Sequence, residues 1–135
     1  MSQAQALRAL GIKKFVGCTY YRDQKMNDIF TRYFTDAGFE VLGMEGMDTS
    51  PDEADKISTE TIYQHLKASF NKFPTAQGIY LLGSGAWGVK DIIAAENDLG
   101  VPVVHPVAAR VWYVQKLLRV KNPLKGASQL LETLP

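Results

Sequence analysis

A helical stripe set between two short apolar runs restricts this chain more than any other feature. Met26, Ile29, Phe30, Tyr33, Phe34 and Ala37 recur at spacings of three and four, and Gly38 follows as a stop. Before the stripe stands Phe15-Val16-Gly17-Cys18 and after it Glu40-Val41-Leu42-Gly43-Met44, each short and apolar enough for a buried strand. Strand, helix and strand joined by short links predict parallel strands with a right-handed crossover.

The rest of the chain repeats the alternation. Residues 3–10 favour helix, and Gly11 stands where it would stop. Ser50-Pro51-Asp52-Glu53 reads as a capping box opening a short helix, and Ser58-Thr59-Glu60 offers a second start. Ile62, Leu66, Phe70 and Phe73 then mark a longer helix that Pro74 terminates. Ile79 to Leu82 is a third strand, followed by a helix from about Val89 to Leu99 that Gly100 ends. Val101-Pro102-Val103-Val104 is a fourth strand whose proline suits an edge or a strand start. His105-Pro106 turns into a helix carrying Ala108, Val111, Trp112 and Leu118, and residues 127–134 can hold one more.

The expected fold is a single α/β domain over residues 1–135, a three-layer αβα arrangement on a four-stranded, mostly parallel sheet of flavodoxin-like type. Such sheets bind ligands beyond the carboxyl ends of their strands. Residues 19–23, 43–49 and 83–88 are read as loops at those ends, with His105 and Pro106 joining from the fourth strand.

Composition narrows the function. Lysine plus arginine number 15 against 14 acids, and no dense basic block is present, so no broad field draws nucleic acid or an anionic membrane. No apolar run approaches the ~20 residues that span a bilayer, and residues 1–14 lack the apolar core of a signal peptide. One cysteine forbids an internal disulfide and suits a reducing, cytoplasmic setting. Two histidines and one cysteine without ligand-like spacing argue against a metal site.

The stretch Gly83-Ser84-Gly85-Ala86-Trp87-Gly88 links the third strand to a helix, a place where backbone N–H groups can meet an anion. Its glycines match the dinucleotide fingerprint, but that fingerprint follows the first strand of its fold and requires an acid about 20 residues on. Here Val103-Val104-His105-Pro106 occupies that region. A small anion such as a carboxylate fits better, beside the plain alternative of glycines serving a tight turn. His65 lies within a helix as a surface or packing residue. His105, at a strand end, is the better acid/base candidate, or a plain loop histidine. Cys18 reads as a small buried hydrophobe, and as a reactive thiolate only if exposed. Phe30 and Trp112 belong to core stripes. Tyr20 and Tyr21 are adjacent, so in an extended chain they point opposite ways and one of them can face the cleft.

Several segments in order resemble the maleate cis-trans isomerase and arylmalonate decarboxylase branch of the Asp/Glu racemase superfamily. They are Ala6-Leu7-Arg8-Ala9-Leu10-Gly11, Thr19-Tyr20-Tyr21 (a Thr-Pro-Tyr motif with Tyr20 in place of proline), Asn27 with Ala37-Gly38-Phe39-Glu40-Val41, Asp91-Ile92-Ile93, Leu99-Gly100-Val101-Pro102-Val103-Val104, and Trp112. The resemblance implies a cofactor-independent isomerase, racemase or decarboxylase acting on a small carboxylate. Thr19, Tyr21 and backbone N–H groups around Ser84, Gly85 and Ala86 would hold carboxylate oxygens, with His105 nearby.

Two departures stand out. The family carries a catalytic cysteine seven residues before the aspartate that is Asp91 here, and that position holds Ser84. A thiol of pKa near ~8.5 can be tuned into proton transfer, whereas an aliphatic hydroxyl titrates far higher. A catalytically silent carboxylate-binding protein is therefore the rival expectation, with a flavodoxin-like nucleotide-binding module behind it. The second departure is length: family members have two pseudo-symmetric α/β halves, and this chain resembles the second. A lone half exposes the face that its partner covers, so a homodimer or larger assembly is expected.

Overall fold

A computed structural model describes residues 2–82 and 89–133. The elements run α1 (Ser2–Ala9), β1 (Lys14–Tyr21), α2 (Gln24–Asp36), β2 (Glu40–Thr49), a 3-10 turn (Pro51–Lys56), α3 (Thr59–Lys72), β3 (Ile79–Leu81), α4 (Val89–Leu99), β4 (Val103–Val104), α5 (Pro106–Leu117) and α6 (Gln129–Glu132). The four strands form one sheet in the order β2-β1-β3-β4, and every pairing is parallel.

Successive strand residues feed opposite cores, as the two-residue period requires. Phe15, Tyr80 and Val104 face Leu7 of α1, Phe34 of α2, Trp112 of α5 and Leu130 of α6. Val16, Cys18, Ile79, Leu81 and Val103 face Ile62 and Leu66 of α3 and Ile92 and Ala95 of α4. The first core is aromatic: the ring of Phe34 meets Phe15, Phe39 and Tyr80 edge-on at centroid distances of 5.1, 6.1 and 4.7 Å. Such edge-to-face contacts set the positive ring rim against a negative face.

The helix ends follow the punctuation. Asp23 caps α2 by accepting from the N–H of Lys25, and Gly38 ends it with φ +89°. Ser58 caps α3, its hydroxyl accepting from Thr61 N–H at 3.1 Å. Ser50 departs from the expected capping box, because its hydroxyl meets the Glu53 carboxylate at 3.1 Å and the segment is a 3-10 turn. The tail does fold: α6 buries Leu130 and Leu131, and Trp112 Nε1 donates to Thr133 O at 3.0 Å.

Two segments expected as loops are strands. Residues 19–21 continue β1 and residues 43–49 continue β2. In residues 43–49 the glycines and Asp48 signal turn by propensity, but pairing with β1 imposes extension; Thr19, Tyr20 and Tyr21 are themselves strand formers. The fourth strand is shorter than expected, with only Val103 and Val104 in the ladder.

Candidate functional site

Parallel strands place Thr49, Tyr21, Leu81 and Val104 at one end of the sheet. The strand order changes direction between β1 and β3, and open α/β sheets bind ligands at such a switch. Tyr21 ends β1 at that point. Leu82, whose N–H donates to Cys18 O at 2.8 Å, carries the chain from β3 toward residues 83–88.

A polar knot holds the end of β1. The Thr19 hydroxyl donates to Asn27 Oδ1 at 2.6 Å, and Asn27 Nδ2 donates to Tyr21 O at 3.1 Å. Thr19 and Asn27 are buried, which makes both bonds valuable as replacements for lost water. Gly46 of β2 admits the knot: a Cβ there would lie 2.1 Å from Tyr21 O and 2.7 Å from Asn27 Nδ2. Thr19 therefore stands behind the surface, and its link to a ligand would run through Asn27 and the Tyr21 backbone.

Tyr20 and Tyr21 do not point opposite ways. Between Thr19↔Gly46 and Tyr21↔Thr49 the register shifts, β2 advancing three residues against two in β1. This bulge re-aims the strand end, as bulges beside sites do. The two rings lie 4.4 Å apart at 33°, with the Tyr20 hydroxyl 3.2 Å from that of Tyr21. On its other side Tyr21 stacks over Phe30 at 5.9 Å and 24°. The bond to Tyr21, and then burial, push the Tyr20 phenol up to about 12.

A cavity of about 410 Å³ opens beside this stack, lined by Tyr21, Arg22, Asp23, Met26, Thr49 and Ser50. Arg22 forms an exposed ion pair with Asp48 on its rim. The lining thus joins a phenol, a cation paired with Asp48, and the N-terminal turn of α2, which the Asp23 carboxylate caps. Met26 and Ser50 read from the sequence only as a stripe residue and a helix cap, and Arg22 only as part of a loop, so none of the three is expected to line a site. Asn27 belongs to the family resemblance, and its place seven residues before buried Phe34 also sets it on the buried face of the stripe.

His105 follows β4 at the same end and is buried. Its Nδ1 accepts from Val107 N–H at 3.3 Å, capping α5. In the neutral ring that places the proton on Nε2. His65 packs against β2 through a 2.9 Å contact between Nε2 and Glu45 O, and burial depresses its pKa. Cys18 is buried, and burial pushes its thiol up to about 12, so it behaves as a hydrophobe. Ser84, Gly85 and Ala86, and the Asp91 side chain, lie outside the described residues. Among the described residues no three His, Cys, Asp or Glu side chains gather as a metal site. No helix among them is long and apolar enough to cross a membrane.

The family model for arylmalonate decarboxylase matches residues 1–131. The chain belongs to that family. No curated protein matches it. A variant of arylmalonate decarboxylase in a sulfate-ion-associated form superposes with TM-score 0.88 and 25% identity, over 98% of this chain and 57% of that one. The maleate isomerase of Pseudomonas putida S16 gives TM-score 0.86 at 17% identity, over 97% of this chain and 52% of that one. A variant of Nocardia farcinica maleate cis-trans isomerase with a covalently bound succinylcysteine intermediate gives TM-score 0.83 at 18% identity, over 97% and 53%. This member of the arylmalonate decarboxylase family thus spans a little over half the length of the solved structures that it matches.

Proposed function

We propose that this chain binds a small carboxylate at the β1/β3 switch point and acts there as a cofactor-independent decarboxylase, isomerase or racemase. The observation that carries the reading is Tyr21, fixed at the end of the central strand over an open cavity with Arg22 on its rim. Its phenol donates to one carboxylate oxygen, and backbone N–H groups of Ser84, Gly85 and Ala86 take the other. Thr19 supports Tyr21 through Asn27, and His105 closes the fourth strand at the same end. Ser84 occupies the position of the family's reactive thiol. An aliphatic hydroxyl titrates far above a thiol, so a serine there moves a proton poorly. The second reading, a carboxylate-binding protein without turnover, rests on this residue alone.

The test is a thermal-shift screen with maleate, phenylmalonate and aspartate, followed by NMR assay of each binder for α-hydrogen exchange, isomerisation or carboxyl loss. Stabilisation with turnover supports the enzyme, and stabilisation without it supports the binding protein. Turnover gained only in Ser84→Cys identifies a competent scaffold lacking its thiol. Turnover unchanged in Ser84→Ala removes Ser84 from the chemistry. No stabilisation by any of the three overturns the carboxylate reading.

Assembly belongs to the same proposal. The inner face of α5 buries Ala108, Ala109 and Trp112, while Val107, Val111, Val114 and Leu118 form an outward stripe at helical spacing, all exposed. A helix apolar on both faces is one covered on both faces. The stripe itself carries no charge and complements its own copy in an antiparallel pair, so a second copy of this chain is the proposed occupant. Light scattering should give a dimer that Val111→Glu dissociates. A monomer at micromolar concentration ends this part of the proposal. A cytoplasmic location, suited to one buried thiol, completes it.

A further inference from the structure

We propose that Tyr20 is a positioning residue that makes Tyr21 a directed hydrogen-bond donor, a role that the proline of the Thr-Pro-Tyr motif has no group to perform. The inference rests on the reading that Tyr21 holds a ligand carboxylate, and it concerns the one residue of that motif in which this chain departs.

Three observations converge. First, adjacent residues in a regular strand project to opposite faces, yet these rings lie 4.4 Å apart. The register shift opposite residues 19–21 releases them from the pleat. Second, Tyr21 is clamped between Tyr20 and Phe30, with its carbonyl held by Asn27 and its backbone closed in by Gly46. Ring rotation is therefore restricted and the hydroxyl has a fixed place. Third, the Tyr20 hydroxyl donates to the Tyr21 oxygen at 3.2 Å. A phenol has one proton, so Tyr21, accepting from Tyr20, turns its own proton away from that neighbour. Tyr21 borders the cavity, where that proton can meet an anion. Donor-to-donor chains of this kind also polarise one another and strengthen the final bond. Asp55 lies near enough to favour the protonated form of Tyr20, and so its role as donor.

The test compares Tyr20→Phe, Tyr21→Phe and the double variant, with maleate and phenylmalonate as probes by calorimetric titration. Tyr20→Phe keeps the ring and its stacking and removes only the donor. Loss of a bond to a charged oxygen in Tyr21→Phe should weaken binding about tenfold. Tyr20→Phe should weaken it about threefold, and the double variant should bind no worse than Tyr21→Phe, because Tyr20 acts through Tyr21. Additive losses, or binding unchanged in Tyr20→Phe, overturn the proposal. A second readout needs no ligand. In protein with ring-labelled tyrosine, Tyr21→Phe should move the Tyr20 titration midpoint down from about 12 toward its ordinary value. A midpoint that stays in place means that the hydroxyls are not paired, and the proposal falls whatever the ligand does. If the midpoint moves but Tyr21→Phe binds both probes like wild type, the carboxylate reading fails. The role assigned to Tyr20 then falls with it, while the hydroxyl pair stands.

Discussion

Replacing Thr19 with valine is the most direct probe of the knot beneath Tyr21. Valine matches threonine in shape, so packing is kept and only the hydroxyl is lost. That hydroxyl donates at 2.6 Å to Asn27 Oδ1, and the two residues are 0% and 2% exposed. Water cannot reach the abandoned acceptor. A buried acceptor left without its donor costs about 1–3 kcal/mol, so Thr19→Val should lose about 2 kcal/mol. In a chain of this size each kcal/mol moves Tm by roughly 3–5 °C, which sets the expected fall at roughly 6–10 °C. Urea unfolding followed by circular dichroism should give the same loss at an unchanged slope, since the exposed surface is the same. Thr19→Ser keeps the donor and should retain most of the stability. A Thr19→Val protein within about 0.5 kcal/mol of wild type would refute the account, since surface changes have effects of that size.

Other consequences are equally open to measurement. Gly46→Ala places a methyl against Tyr21 O and Asn27 Nδ2; it should destabilise by about 1–3 kcal/mol, and a neutral result in calorimetry would contradict the packing. Cys18, buried with its thiol pushed up to about 12, should resist alkylation in the native protein and react only on unfolding; labelling at the rate of a free thiol disproves this. Glu96 accepts from Val103 N–H at 2.8 Å and Gln129 N–H at 2.9 Å, yet burial raises its pKa above the ordinary range. Its contribution to stability is then complete below the ordinary carboxyl pKa and is lost as pH rises through the raised value. Relative to Glu96→Gln, wild type should lose stability as pH rises above the ordinary carboxyl pKa, and a constant difference would count against it.

How much of this was written in the sequence depends on whether a residue's role is local. The α2 stripe, with Asp23 before it and Gly38 after, is decided within its own turns, and it folds where its periodicity places it. The strands Phe15 to Cys18 and Ile79 to Leu81 lie within apolar runs that only a buried sheet accommodates. Residues 43–49 read as a loop because Gly43, Gly46 and Asp48 each favour turns, and their extension comes from a neighbour 27 residues earlier in register, Val16 against Gly43 and Gly17 against Met44. The pairing of Tyr20 with Tyr21 was hidden for the same reason: the alternation rule holds for a regular ladder, and the bulge that suspends it belongs to another strand. The knot of Thr19, Asn27 and Gly46 joins three elements, so no window of the sequence contains it.

The irregular register of β2 has a consequence apart from ligand binding. With β1 and β3 interior, β2 is an edge of the sheet, ten residues long, and a straight strand of that length is a template for other chains to add to. Two register shifts along its pairing and the charges of Glu40, Glu45 and Asp48 interrupt that template. Edge-to-edge growth is discouraged at the long edge, and the other edge, β4, offers only two residues. The register shift beside Tyr21 and its cavity is thus also a guard against aggregation, and a variant that straightened β2 would put solubility at risk.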